Sequence, residues 1–143
     1  MKLSEFFDLK EFEYSSTAFI MHIDNAIPKE FLINVVRLHD NILYPLRKAT
    51  GCPVVISSGF RCDKLNKVIG GVKNSQHNEA KAVDFTVKNQ SDLAIVNWIR
   101  KNCDFDQLIL EKVNGKQWIH VSYNFGKNRK QVLNYDGKSY TSF

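Results

Sequence analysis

Four side chains in this sequence have the chemistry for hydrolysis at a metal ion: His77, Asp84, Glu111 and His120. Two imidazoles and one carboxylate, with a fourth position open, form a common catalytic zinc ligand set. Zinc held in that way lowers the pKa of its bound water to about 7 and polarises a carbonyl. A carboxylate nearby can then take the proton and pass it to a leaving amine. His77 and Asp84 are seven residues apart, and a straight strand would send that odd spacing to opposite faces. The two converge only if residues 78–81 turn, leaving His77 at the end of a loop and Asp84 on the following strand. Spacing permits such a site without demanding it.

The elements that must position these groups are legible around them. Ala82–Val87 alternates as a strand. Leu108–Val113 and Lys116–Tyr123 are apolar-alternating runs on either side of Asn114-Gly115, the strongest short-range hairpin signal. With Asn114 and Gly115 as the two loop residues, Val113 pairs with Lys116, Glu111 with Trp118 and Ile109 with His120. Opposed residues share a face, so Glu111, Trp118 and His120 lie together, with Glu111 diagonal to His120 at roughly 7–8 Å between Cα atoms. A slip of one residue would turn Glu111 away.

Residues 28–49 carry the clearest helical pattern, with Phe31, Leu32, Val35, Leu38, Ile42, Leu43 and Leu46 on one stripe. Pro28 suits its start, Pro45 should kink or interrupt it late, and Gly51 should end it. A strand at Val54–Ser57, a turn at Ser58-Gly59, a short helix near Cys62–Val68 and a loop over Val72–Glu79 follow. Ser91 caps a second amphipathic helix, and a last pair of short strands flanks Asp136-Gly137. Helices followed by a mostly antiparallel sheet predict an α+β domain with the helices on one side. His39, on the long helix, is expected at the surface or as a cap.

The 143 residues suit one domain, 1–143. Twenty basic against fifteen acidic residues give a net charge of +5, which favours an anionic polymer as partner. The basic residues are scattered, so no nucleic-acid partner is expected. Cys52, Cys62 and Cys103 are odd in number and lack CxxC spacing, against both a disulfide framework and a zinc finger. Their thiol state is not legible. No apolar run approaches the roughly 20 residues of a membrane helix. The N-terminal stretch has no h-region, so no signal peptide is expected.

Three segments, SGFRCDKLNKVIGG, SQHNEAKAVD and WIHVSY, resemble the zinc D-Ala-D-Ala carboxypeptidase family, whose pattern is SGYR, then SxHxxGxAxD, then a strand ending in WxH. That family shares its fold with the hedgehog signalling domain. Glu11–Ala18 and Ile23–Asn25 match upstream elements of its phage-type branch, and the likeness runs from about Phe12 to Tyr123. The resemblance implies one Zn2+ held by His77, Asp84 and His120. It also implies an Arg61 that binds substrate and stabilises the developing oxyanion, and a Ser75 that touches substrate. Arg61 suits that task, since a planar guanidinium can hold a carboxylate or a carbonyl oxygen. Trp118 could line the substrate cleft or simply pack.

Two positions depart from the pattern. Ala80 stands where the family has glycine. Gln117 and Trp118 stand where members place a catalytic acid or histidine, and neither can serve as a base. Glu111 is then the candidate base. The expected function is zinc-dependent hydrolysis of a peptide bond in bacterial peptidoglycan, by carboxypeptidase action on D-Ala-D-Ala or endopeptidase action on an L-Ala-D-Glu-type bond. The implied setting is phage-type lysis, with a monomer made in the cytoplasm and acting at the wall once released. The alternative is an inactive zinc-containing module that binds the wall.

Overall fold

A computed structural model describes residues 1–143. Two short helices, α1 (Lys10–Glu13) and α2 (Ser16–Ile20), lead to a long helical segment. It begins as a 3-10 turn at Lys29–Phe31 and continues through α3 (Leu32–Leu38), a π-helical stretch at His39–Leu43 and α4 (Tyr44–Thr50). Then come β1 (Val54–Ser58), α5 (Asp63–Val68), a 3-10 turn at Gln76–Glu79, β2 (Ala82–Val87), α6 (Asp92–Asn102), β3 (Gln107–Val113), β4 (Lys116–Ser122), β5 (Gln131–Tyr135) and β6 (Tyr140–Ser142).

Pro45 interrupts the α-helical bonding of the long helix late, as the sequence led one to expect, without ending the helical path. Proline has no N–H to give the carbonyl four residues back. The chain absorbs this one turn earlier by widening to i→i+5 bonding, with the Tyr44 N–H bonded to the His39 carbonyl. Gly51 then ends the helix in the left-handed conformation (φ 66°), as expected. His39 is not a surface residue. It is 5% exposed, with Nδ1 2.8 Å from Asp40 and Nε2 2.9 Å from Ser4 Oγ, which ties the N-terminal segment to the helix.

The six strands form one sheet in the order β1-β2-β4-β3-β5-β6. One face, bearing Val83, Phe85, Leu108, Leu110, Ile119 and Val121, packs with Val35, Leu38, Ile42 and Leu46 of the long helix and Ile95, Val96 and Ile99 of α6 in a single 23-residue core cluster. The fold is α+β with the long helix and α6 against that face, while α2 and α5 share a small separate cluster through Ala18 and Leu65. Antiparallel pairing holds everywhere except between β3 and β5, which run parallel. Strand β2 already occupies the outer edge of β4, so the chain leaving β4 crosses the end of β3 and takes that strand's free edge. Asn114 (φ 53°) and Gly115 (φ 78°) form the β3–β4 turn with both central residues at positive φ, which matches the right-handed twist of the two strands.

Candidate metal centre

The hairpin register pairs Ile109 with His120, Glu111 with Trp118 and Val113 with Lys116, as the Asn-Gly turn predicts. On its other side His120 pairs with Asp84 of β2, and Asp84 pairs with Ser58 of β1. Ser58, Asp84, His120 and Ile109 therefore form one row across four strands, on the face away from the long helix and α6. The Ser58–Asp84 pairing exists because β1 carries a bulge between Ile56 and Ser58. A bulge inserts one residue and re-aims those beyond it. Without the insertion Ser58 would face the core.

His77 reaches this row from the preceding turn. Residues 78–81 do turn, and Ala80 closes the turn in the left-handed region (φ 57°, ψ 31°). Alanine there keeps the conformation for which glycine is suited, at a cost of roughly 1–2 kcal/mol. Its methyl, 2% exposed and part of the core cluster, offsets some of that strain. The His77 Nδ1–H donates to the Gly59 carbonyl at 2.7 Å, so Nε2 is left free to face Asp84. A second hydrogen bond of this kind is what orients metal-binding histidines.

Asp84 Oδ1 lies 3.4 Å from His77 Nε2 and 3.0 Å from His120 Nδ1. All three donor atoms are within 4.8 Å of one another. Zinc–ligand bonds of about 2.1 Å at tetrahedral angles put neighbouring ligand atoms roughly 3.4 Å apart, so the cluster can hold a metal. Burial disfavours the Asp84 charge, but His77 and His120 outweigh it and hold the carboxyl well below its ordinary range. Burial likewise pushes His77 below its usual value, toward the neutral imidazole that binds metals.

Arg61 closes the far side. Its Nε donates to Ser58 Oγ at 3.1 Å, Nη1 to Asn66 Oδ1 at 3.3 Å and Nη2 to Asp84 Oδ2 at 3.5 Å. Each terminal nitrogen keeps a further N–H free for another group. The turn that carries Arg61 is clamped by Asn25, whose Nδ2 donates to the Glu13 and Phe60 carbonyls and whose Oδ1 accepts from the Cys62 N–H. The clamp explains the upstream Ile23–Asn25 element, which sequence reading matched but left without a role. Asn66 and Ser58 were likewise missed. Both lie within the SGFRCDKLNKVIGG segment that carries the resemblance, but only their contacts with Arg61 give them a role.

Glu111 stands one pair along the same face from His120. Burial raises its pKa, as does the Asp84 charge, while His120, the Trp118 indole and Arg61 pull the other way. Trp118 Nε1 is itself buried and lacks an aligned acceptor. Gln117 faces the opposite side of β4, where it donates to Asp92 at 2.9 Å. Glu111, His120 and Ser75 line an open cleft of about 600 Å³, and Trp118 and Arg61 border the site without lining that cleft. Ser75 also accepts from the His77 N–H at 3.2 Å and so caps the turn that carries the first histidine.

Motif likeness and geometry converge with one comparison: a family model described as Peptidase M15 matches residues 5–122, most of the 143-residue chain. The chain belongs to the Peptidase M15 family. No curated protein matches it. Within this M15 chain the matched region ends at β4, so it contains the His77, Asp84 and His120 cluster, Arg61 and Glu111. The segment carrying β5 and β6 lies beyond it. No helix is long and apolar enough to cross a membrane.

Proposed function

We propose that this M15 chain is a zinc-dependent peptidase that hydrolyses a peptide bond of bacterial peptidoglycan. The carrying observation is the convergence of His77, Asp84 and His120 beside an open cleft, with Glu111 on the same sheet face. His77 Nε2, an Asp84 carboxylate oxygen and His120 Nδ1 would hold the ion. When bound, zinc supplies an acidified water and polarises the scissile carbonyl.

The protein's own groups do the rest. Glu111, made more basic by burial, takes the proton of the attacking water and delivers it to the leaving amine. Arg61 offers its free N–H groups to a substrate carboxylate or to the carbonyl oxygen as charge grows there. Ser58 and Asn66 fix the guanidinium so that no reorganisation is needed. Trp118 is paired with Glu111 across the hairpin and flanks that carboxylate. Ser75 touches the substrate from the cleft wall. Gln117 lies on the far face of β4, which leaves Glu111 as the acid proposed for this face.

The net charge of +5 favours the anionic wall as partner, and the phage-type likeness favours lysis, by a monomer, as the setting. Mass analysis of fragments from purified peptidoglycan tests the reading. Zinc-loaded protein is expected to release peptides cut at a single bond type, whereas chelated protein and Glu111→Gln, which keeps its zinc, release at least about 100-fold less. Undiminished release by Glu111→Gln would remove that residue as base. No release by protein with bound zinc would leave the wall-binding module as the answer.

A further inference from the structure

Residues 123–143 lie beyond the matched region, yet they supply one wall of the cleft through Asn124, Lys127, Arg129 and Tyr140. Their placement is built rather than incidental. Glu111 pairs with Tyr135 of β5, and Tyr135 with Tyr140 of β6, so Trp118, Glu111, Tyr135 and Tyr140 form a second row across the site face. The two tyrosine rings stack at 4.4 Å.

The loop before β5 is fastened at several points. The Phe125 ring sits under the Arg37 guanidinium at 3.9 Å. Asn128 Oδ1 accepts from the Asn124 N–H at 2.7 Å, and Arg129 makes three hydrogen bonds to Asp106. Between these anchors the Lys127 N–H bonds back to the Asn124 carbonyl, and Gly126, at φ 76°, fits the turn position that requires positive φ.

Two cations line the cleft, and they differ. Arg129 is spent on Asp106, whereas the ion pairs of the chain leave Lys127 without an acidic partner. Tyr140 is raised above its ordinary pKa by burial and by Glu111, so it remains a hydroxyl donor. A fixed turn tip carrying an unpaired ammonium, lining the same cleft as a hydroxyl on a stacked ring, is suited to an anion.

We propose that the C-terminal segment forms a carboxylate subsite, in which Lys127 and Tyr140 bind a free carboxylate of the substrate peptide on the Glu111 side of the scissile bond. The inference rests on the peptidase reading above and names a substrate class for it: stem peptides with a free acid rather than an amide next to the cut.

The test uses two synthetic stem pentapeptides that differ only at the second residue, D-glutamate with a free α-carboxyl or its primary amide. Binding to zinc-loaded Glu111→Gln protein is measured by calorimetry, and cleavage by the wild-type enzyme by mass analysis. The expected preference for the acid is roughly three- to tenfold in affinity. Lys127→Met abolishes it, Lys127→Arg keeps it, and Tyr140→Phe, which preserves the stack, weakens binding of the acid alone. Binding or cleavage without discrimination, or a preference that survives in Lys127→Met, overturns the subsite and leaves the peptidase reading standing. Failure to bind or cleave either peptide overturns both.

Discussion

Replacing Asp106 with asparagine tests how the site is held together. Asp106 is fully buried and accepts from the Arg129 backbone N–H at 2.9 Å, from Arg129 Nε and Nη2 at 2.8 Å each, and from Gln76 Nε2 at 2.8 Å. It thereby joins the C-terminal wall of the cleft to the turn that carries His77. The Arg129 side chain, and secondarily the Arg129 backbone N–H and Gln76, hold the carboxyl at about 2, below its ordinary 3.8. That drop corresponds to about 2 kcal/mol of stability at neutral pH. Solvent around Arg129, 56% exposed, makes this an upper figure.

The folded value is depressed, so the contribution is fully present above 3.8 and fades as the pH falls through 2. Urea unfolding of wild type and Asp106→Asn should differ by about 2 kcal/mol at pH 7 and converge as the pH falls toward 2. Other carboxylates titrate in both proteins and cancel in the difference, as does any loss of metal. A gap that stays constant down to that pH would refute the charged network as its source.

Gly59→Ala should both destabilise the fold and loosen the metal. A Cβ there would lie 2.5 Å from the Phe12 carbonyl oxygen and 2.9 Å from its Cα, so backbone must move, at a cost of about 1–3 kcal/mol. The shift carries away the carbonyl that orients His77. Zinc titration should show about 10- to 100-fold weaker binding, and unchanged affinity would deny that carbonyl its orienting role. Gln117→Glu, introduced into Glu111→Gln, should restore no peptide release, because position 117 faces Asp92 across the sheet. Recovery of activity would show that β4 changes register in solution.

Some of this molecule follows from local chemistry. Asn114-Gly115 between alternating runs admits essentially one two-residue turn, and period-two alternation then assigns Glu111, Trp118 and His120 to one face. The His77-to-Asp84 motif required a turn at 78–81, and Ala80 accepts positive φ to provide it. Gly51 ends its helix for the same local reason.

Other features depend on partners distant in sequence. The bulge that turns Ser58 toward Arg61, the Asn25 clamp and the Asn66 contact arise from pairing and packing across the fold. Which edge β5 takes depends on β2 having filled the other side of β4. Burial of His39 required the N-terminal segment to fold over it. The sequence alone pointed to the His77, Asp84 and His120 cluster through its family resemblance and to the hairpin register through its Asn-Gly turn, because motifs and strand period are properties of short segments. Tertiary structure decided the burial that makes Glu111 more basic, the fixed geometry of Arg61 and the C-terminal wall, because desolvation and long-range pairing exist only once the chain has closed on itself.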